Sequence, residues 1–175
     1  MSLDILFIHP NASKKIYQGL SNDHSAIEPP IWAGMLANHC RNKNFNVQIL
    51  DCEVEKLDYL TSVKEIIKIK PRIACFVVYG QQPSASSQNM EGAIATSEEL
   101  KLSDPEIKIL FVGGHVSALP NETLTNEKSI DFIALNEGVY AISNLLKVEN
   151  LNDEKYLNKV KGIGFRNKDN QIVIN

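Results

Sequence analysis

Five short apolar segments alternate with five amphipathic segments along this chain, and that alternation limits the folds open to it. The apolar segments are rich in residues that favour β-strands, and they cover 3–8, 46–50, 72–79, 107–112 and 130–135. Between them, apolar side chains recur at helical spacing over 31–44, 56–70, 86–102, 117–124 and 139–146. An alternation of this kind predicts a parallel sheet with helices packed on both of its faces.

The number of units predicts the topology. Five strand–helix units suit a flavodoxin-like α/β fold, a doubly wound five-stranded parallel sheet with the strand order 2-1-3-4-5. After residue 149 the pattern changes, because 160–166 and 171–174 read as two strands joined by a turn-rich segment. We therefore predict a sheet domain over residues 1–149, followed by a linker and a C-terminal β-hairpin over 150–175. The chain stops inside an apolar strand, and from this we expect a longer parent protein.

The first predicted helix has a clear apolar face. Pro29 and Pro30 come directly before it, and proline is well suited to the first turn of a helix. The side chains predicted to face the sheet are those of Ile31, Trp32, Met35, Leu36, His39 and Cys40.

Charge and composition exclude several classes of protein. The chain has 175 residues, with 18 lysines and arginines against 21 aspartates and glutamates. This balance excludes the concentrated cationic surface that nucleic acid binding needs, and no apolar run is long enough to span a bilayer. We therefore predict neither a nucleic acid nor a membrane as partner. The three cysteines, Cys40, Cys52 and Cys75, form no C-x-x-C pair and predict a reduced, cytoplasmic protein.

Four predicted loops meet at one edge of the predicted sheet. Open parallel sheets bind ligands beyond the carboxyl ends of their strands, and the loops there are 9–28, 80–87, 113–115 and 136–138. The first is much longer than the 2–6 residues that such a connection usually needs. Glycine and asparagine are ordinary turn residues when each loop is taken alone. Together, these small and polar loops favour a large, flat ligand with a polar rim.

Several common sites are excluded by particular residues. The first strand is followed by His9-Pro10-Asn11 rather than a glycine-rich G-x-G-x-x-G, and no P-loop motif is present. Tyr79 and Gly80 stand where a phosphoacceptor domain has its aspartate. No histidine pair has metal-ligand spacing and no nucleophile elbow exists, so we predict neither catalytic nor metal-ligating residues in this chain. Glu137 is open to two interpretations, as an acid or base or as a hydrogen-bond acceptor.

The motifs resemble those of the N-terminal cobalamin-binding domain of cobalamin-dependent radical SAM enzymes. In chain order the matching segments are 7–11 (FIHPN), 29–37 (PPIWAGMLA), 78–86 (VYGQQPSAS), 111–116 (FVGGHV), 135–138 (LNEG) and 160–165 (VKGIGF). Two departures stand out. The fifth loop of the family usually reads G-E-G-E, and the D-x-H-x-x-G motif whose histidine binds cobalt in cobalamin mutases is absent, because Asp23-His24 lacks that spacing. The cluster motif C-x-x-x-C-x-x-C is also absent from these 175 residues.

The resemblance implies cobalamin lying across the carboxyl edge of the sheet, with its nucleotide tail entering the core near Gly113 and Gly114. It implies cobalamin contacts from His9, Pro10, Asn11, Tyr79, Gly80, Gln81, Gln82, Ser86, Gly113, Gly114, His115, Asn136, Glu137 and Gly138. His9 is the sole histidine placed to substitute for the missing cobalt ligand, and we expect the lower face of cobalt to lack a histidine.

For the parent protein, the resemblance implies a radical SAM domain in the same chain, with a 4Fe-4S cluster and S-adenosylmethionine. The reaction implied is methyl transfer, or alternatively cyclisation, and the present chain by itself is expected to bind rather than to catalyse. Two other interpretations stay open on the sequence. One is a flavodoxin-like module that binds another flat or nucleotide-like ligand and has lost cobalamin binding. The other is an interaction scaffold without a ligand.

Overall fold

The computed structural model describes residues 3–11, 29–80 and 83–175, and these form a seven-stranded sheet. The strands are β1 (Ile5–His9), β2 (Val47–Asp51), β3 (Ile73–Val77), β4 (Lys108–Val112), β5 (Phe132–Ala134), β6 (Ile163–Arg166) and β7 (Ile172–Ile174). Their order is β2-β1-β3-β4-β5-β6-β7. The first five strands are parallel and confirm the predicted 2-1-3-4-5 topology. The predicted hairpin is β6 and β7, which extend the same sheet because β6 pairs antiparallel with β5.

The helices connect these strands much as the sequence predicts. They are α1 (Ile31–Arg41), α2 (Tyr59–Ile69), α3 (Pro83–Ser103), α4 (Gly114–Ala118), α5 (Pro120–Asn126), α6 (Val139–Leu146) and α7 (Glu154–Leu157). The single helix predicted over 117–124 is wrong, because Leu119 leaves the helical conformation in front of Pro120 and two short helices result. The predicted linker contains α7, where the side chain of Asp153 caps the amino end by accepting a hydrogen bond from the Lys155 backbone.

The sheet separates two apolar cores. Side chains alternate between its faces along each strand, so Phe7 and Cys75 face the core under α1 and α6. Phe76 and Phe111 face the core under the helices of the other side, α2 to α5. β3 is buried along its whole length, which explains its continuous apolar sequence. In the described part of the chain, no helix is both long and apolar enough to cross a bilayer.

The predicted inner face of α1 is partly wrong. Ala33 and Ala37 are buried against the sheet, together with Leu36. Ile31 and Met35, which the helical spacing placed in the core, are 59% and 51% exposed. The small alanine side chains let this side of the helix approach the sheet closely, and the two larger residues are left beside it.

Two arginines bind the carboxyl ends of helices at the opposite, amino edge of the parallel strands. The guanidinium of Arg72 donates to the carbonyls of Leu146 (3.0 Å), the last residue of α6, and of Val148 and Glu149 (3.2 Å), just past it. Arg166 likewise donates to the carbonyl of Leu124 in α5 and to that of Ile130. Burial lowers the pKa of Arg166 from its ordinary value. These contacts satisfy carbonyls that a helix end leaves without partners.

We expect Arg72→Ala to lower the free energy of unfolding by about 1–3 kcal/mol, because carbonyls of Leu146 and Val148 would lose their charged donor. Arg41→Ala is the matched control, since that guanidinium makes one long bond, 3.4 Å, to the Val47 carbonyl. Urea unfolding followed by circular dichroism measures both variants. Equal stability losses would contradict the role assigned to Arg72.

Candidate functional site

The ends of β1 and β2 are tied together at the carboxyl edge of the sheet. His9 Nδ1 lies 3.2 Å from Asp51 Oδ1, and both side chains are largely buried. The same carboxylate oxygen accepts hydrogen bonds from the backbone of Glu53 and Val54. The carboxylate therefore orients the His9 ring and leaves its Nε2 as the nitrogen that is not bound to Asp51.

Tyr79, just beyond the end of β3, contacts two other parts of the edge. Its ring stacks on Trp32 of α1 with the ring centroids 4.3 Å apart. Its hydroxyl donates to the carbonyl of Asn136, 2.5 Å away, in the turn between β5 and α6. Burial and the nearby charge of Glu137 raise the pKa of Tyr79 to about 12, so the hydroxyl keeps its proton at neutral pH.

Ser86 binds backbone groups of two neighbouring segments. Its buried hydroxyl donates to the carbonyl of Val78 (2.5 Å) and accepts from the backbone N–H of His115 (2.9 Å). The serine thus joins the end of β3 to the start of α4 through the first turns of α3. Its role in this structure is to hold the loops in place.

The two glycines after β4 have different surroundings. A Cβ added at Gly113 would lie 2.6 Å from both the carbonyl oxygen and a side-chain methyl of Val78, so only glycine fits there. A Cβ added at Gly114 would lie 3.6 Å from Ser86, an ordinary contact, and Gly114 is exposed. Gly113 therefore serves internal packing, and Gly114 is the one that a ligand can approach.

An apolar pocket of about 190 Å³ lies under the amino end of α1. It is lined by His9, Pro29, Pro30, Ile31, Trp32, Ala33, Met35, Val77, Tyr79 and Gly80. Val77, Trp32 and Tyr79 belong to or pack against the core under α1 and α6. Val78, which Gly113 contacts, belongs to the core on the other face of the sheet. The pocket and the glycine pair thus lie on opposite faces.

The structure brings only some of the predicted residues together. His9, Tyr79 and Gly80 line the pocket, and Asn136 is bonded to Tyr79. The ring of His115 lies apart from them, with Nδ1 2.9 Å from the Ser87 hydroxyl. The remaining predicted residues lie in the loops themselves. Pro10 is buried and Asn11 donates to the Leu57 carbonyl. Glu137 is exposed, and Gly138 has a φ of +70° at the start of α6. Gln81 and Gln82 lie outside the described residues.

Sequence reasoning missed the side of the pocket that α1 provides. Trp32, Ile31 and Met35 were assigned to the core because their spacing is helical. The signal that could have identified them is their position directly after Pro29 and Pro30. A helix that begins at the carboxyl edge presents its first turn to any ligand bound there.

A doubly wound sheet with a pocket at its carboxyl edge defines an α/β ligand-binding domain. The family model described as the B12 binding domain matches residues 23–146, which is more than half of the chain. The chain belongs to this family. Cobalamin is therefore its cofactor, and the interpretation as a module that has lost cobalamin binding is not favoured.

Solved structures share this fold at low sequence identity. The cobalamin-dependent S-adenosylmethionine radical enzyme OxsB, with aqua-cobalamin and S-adenosylmethionine bound, matches 99% of this chain at 17% identity and a TM-score of 0.69. The radical S-adenosylmethionine methyltransferase TsrM from Kitasatospora setae, with cobalamin and a [4Fe-4S] cluster bound, matches 97% at 13% identity and a TM-score of 0.69. The chain spans 22% and 30% of the lengths of these two proteins. No curated protein matches it.

We expect Gly113→Ala to lower the free energy of unfolding by about 1–3 kcal/mol, because the new methyl group would overlap Val78. Gly114→Ala is the matched control and should leave stability nearly unchanged. Adding Val78→Ala to Gly113→Ala should restore little, since the Val78 carbonyl oxygen also obstructs the methyl. Thermal unfolding measures all three variants. Full rescue by Val78→Ala would show that only the Val78 side chain, and not its carbonyl oxygen, makes glycine necessary at position 113.

Proposed function

We propose that this chain holds cobalamin across the carboxyl edge of its sheet and serves as the cobalamin-binding domain of a radical SAM enzyme. The observation that carries the proposal is the aromatic pocket under α1, which lies beside polar groups at the edge used by ligands in such sheets. An apolar pocket with a few polar groups beside it suits a cofactor that has a planar apolar base and an amide-bearing ring.

We assign the base of the nucleotide tail to this pocket rather than to the Gly113–Gly114 turn. Trp32 and Tyr79 offer flat apolar surfaces there. At Gly113 the space is already filled by Val78. The sequence predicted that the nucleotide tail enters the core near Gly113 and Gly114. We propose instead that it enters on the opposite face of the sheet, under α1.

The corrin ring carries amide side chains, which need both donors and acceptors. The turn after β5 offers the exposed Asn136 and Glu137, and His115 lies at the start of α4. The exposed Gly114 lets the backbone approach the ring without a side chain between them. Gln81 and Gln82 remain predicted partners of the same amides. These groups would bind and orient the cofactor, which when bound supplies a transferable methyl group.

For the parent protein we propose a radical SAM domain in the same chain, a 4Fe-4S cluster and S-adenosylmethionine. OxsB and TsrM support this because each contains far more chain than the part that matches here. Methyl transfer is the favoured reaction and cyclisation is the alternative. Within this assembly, residues 1–149 would hold cobalamin and 150–175 would lead toward the next domain. We further propose a cytoplasmic location, with which three buried, free cysteines agree.

Hydroxocobalamin tests the proposal directly. After incubation and gel filtration, we expect the wild-type chain to retain a visible corrin spectrum. Gly114→Val should weaken binding by about 1–3 kcal/mol, because its side chain would occupy space assigned to the ring. Gly34→Val is the matched control, since nothing lies within 4 Å of a Cβ added at Gly34. A wild-type chain that emerges colourless would refute the proposed function. Equal binding by both valine variants would refute the role of Gly114.

Electron paramagnetic resonance of the cob(II)alamin complex tests the lower face of cobalt. We expect no nitrogen splitting from His9, and therefore the same spectrum for wild type and His9→Ala. Histidines that bind metals commonly donate their other ring nitrogen to a carboxylate, as His9 can to Asp51. Because the contact with Asp51 is therefore compatible with both roles of His9, the spectrum decides between them. A splitting that is present in the wild type and lost in His9→Ala would make His9 a ligand.

A further inference from the structure

The Tyr79 side chain crosses the carboxyl edge of the sheet. β3 and β5 are separated by β4 in the strand order, yet the Tyr79 hydroxyl reaches the Asn136 carbonyl beyond β5. The ring also stacks on Trp32, on the face covered by α1 and α6. One side chain therefore joins the amino end of α1 to the turn before α6.

This crossing limits the pocket under α1. The pocket has a volume of about 190 Å³ and Tyr79 is among the residues that line it. Pockets that enclose a small organic ligand commonly measure about 300–1,000 Å³. A nucleotide tail consequently needs more room than the pocket offers with the ring in this position.

We propose that Tyr79 is a latch on the cofactor site, closed by its hydrogen bond to Asn136 and its stacking on Trp32, and that entry of the nucleotide tail opens it. The proposal rests on the proposed function, since it concerns how cobalamin enters the same site. Opening breaks one hydrogen bond and turns one ring away from Trp32. The pocket then extends along the sheet face toward β5.

The neighbouring contacts confine this movement to the side chain. The backbone carbonyl of Tyr79 accepts a hydrogen bond from Asn89 Nδ2, 2.9 Å away, and so remains tied to α3. On the other side of the latch, the Asn136 carbonyl has a second donor, the Ser117 hydroxyl at 3.4 Å. When Tyr79 leaves, that carbonyl keeps a partner, so opening does not leave it unsatisfied.

The latch predicts that removing the Tyr79 hydroxyl favours cobalamin. Tyr79→Phe keeps the ring and deletes the bond that must break. We expect the dissociation constant for hydroxocobalamin to fall by roughly 2- to 10-fold. The constant for hydroxocobinamide, which lacks the nucleotide tail, should not change. Ser117→Ala is the comparison variant, because it removes the other hydroxyl on the Asn136 carbonyl and keeps the Tyr79 bond. Opening would then leave that carbonyl without a partner, so the constant for hydroxocobalamin should stay the same or rise, and should not fall. Equilibrium dialysis with visible absorbance gives all these constants.

Trp32 supplies a readout that needs no cofactor, because it is the only tryptophan in the chain. Acrylamide should quench its fluorescence more readily in ligand-free Tyr79→Phe than in the wild type or in Ser117→Ala, while all three unfold at similar temperatures. Unchanged or weaker cobalamin binding by Tyr79→Phe overturns the latch, as does an equal gain for hydroxocobinamide. A wild-type chain that binds no hydroxocobalamin overturns the proposed function, and the latch with it.

Discussion

The close contact between the backbone at Gly113 and Val78, just past the end of β3, fixes how the ends of β3 and β4 pack together at the carboxyl edge. Because no Cβ intervenes, the turn after β4 lies directly against Val78. Ser86 secures the same contact by bonding to Val78 and to the backbone of His115. Tyr79 follows immediately along the chain, and the Asn89 side chain binds its backbone carbonyl. The loops that would contact a cofactor are therefore held by the close backbone approach at Gly113 and by side-chain hydrogen bonds to backbone groups.

The two edges of the parallel strands have different tasks. At the amino edge, Arg72 and Arg166 bind carbonyls in or just beyond the last turns of helices and connect β3 and β6 to distant segments. These contacts are internal and stabilise the fold. At the carboxyl edge, exposed apolar side chains such as Ile31 and Met35 stand beside polar loops. Exposed apolar groups stabilise a domain poorly, so their presence there agrees with a surface that a ligand covers.

The fold that this chain shares with solved structures does not by itself describe the contacts at its carboxyl edge. OxsB and TsrM have this fold at 17% and 13% identity, so the sheet tolerates wide changes in sequence. The contacts on which the proposals for this chain rest lie at its carboxyl edge, in the Trp32–Tyr79 stack and the His9–Asp51 contact. If the proposals hold, a cobalamin domain without the Trp32–Tyr79 stack would admit the nucleotide tail without breaking the contact between these two rings.

By itself, the sequence determined the strand order, the hairpin and which loops lie at the carboxyl edge, where parallel sheets of this kind bind ligands. Each of these follows from local periodicity and from general rules of parallel sheets. Only the tertiary structure decided which residues form the pocket. Helical spacing identifies the apolar side of α1, but it does not show that Ile31 and Met35 lie beside the sheet while Ala33 lies against it. Nor does it show that Ser86 binds backbone, because its two partners are brought together by β3 and β4. Such contacts depend on how whole strands and helices pack together, and the local spacing of apolar residues does not predict them.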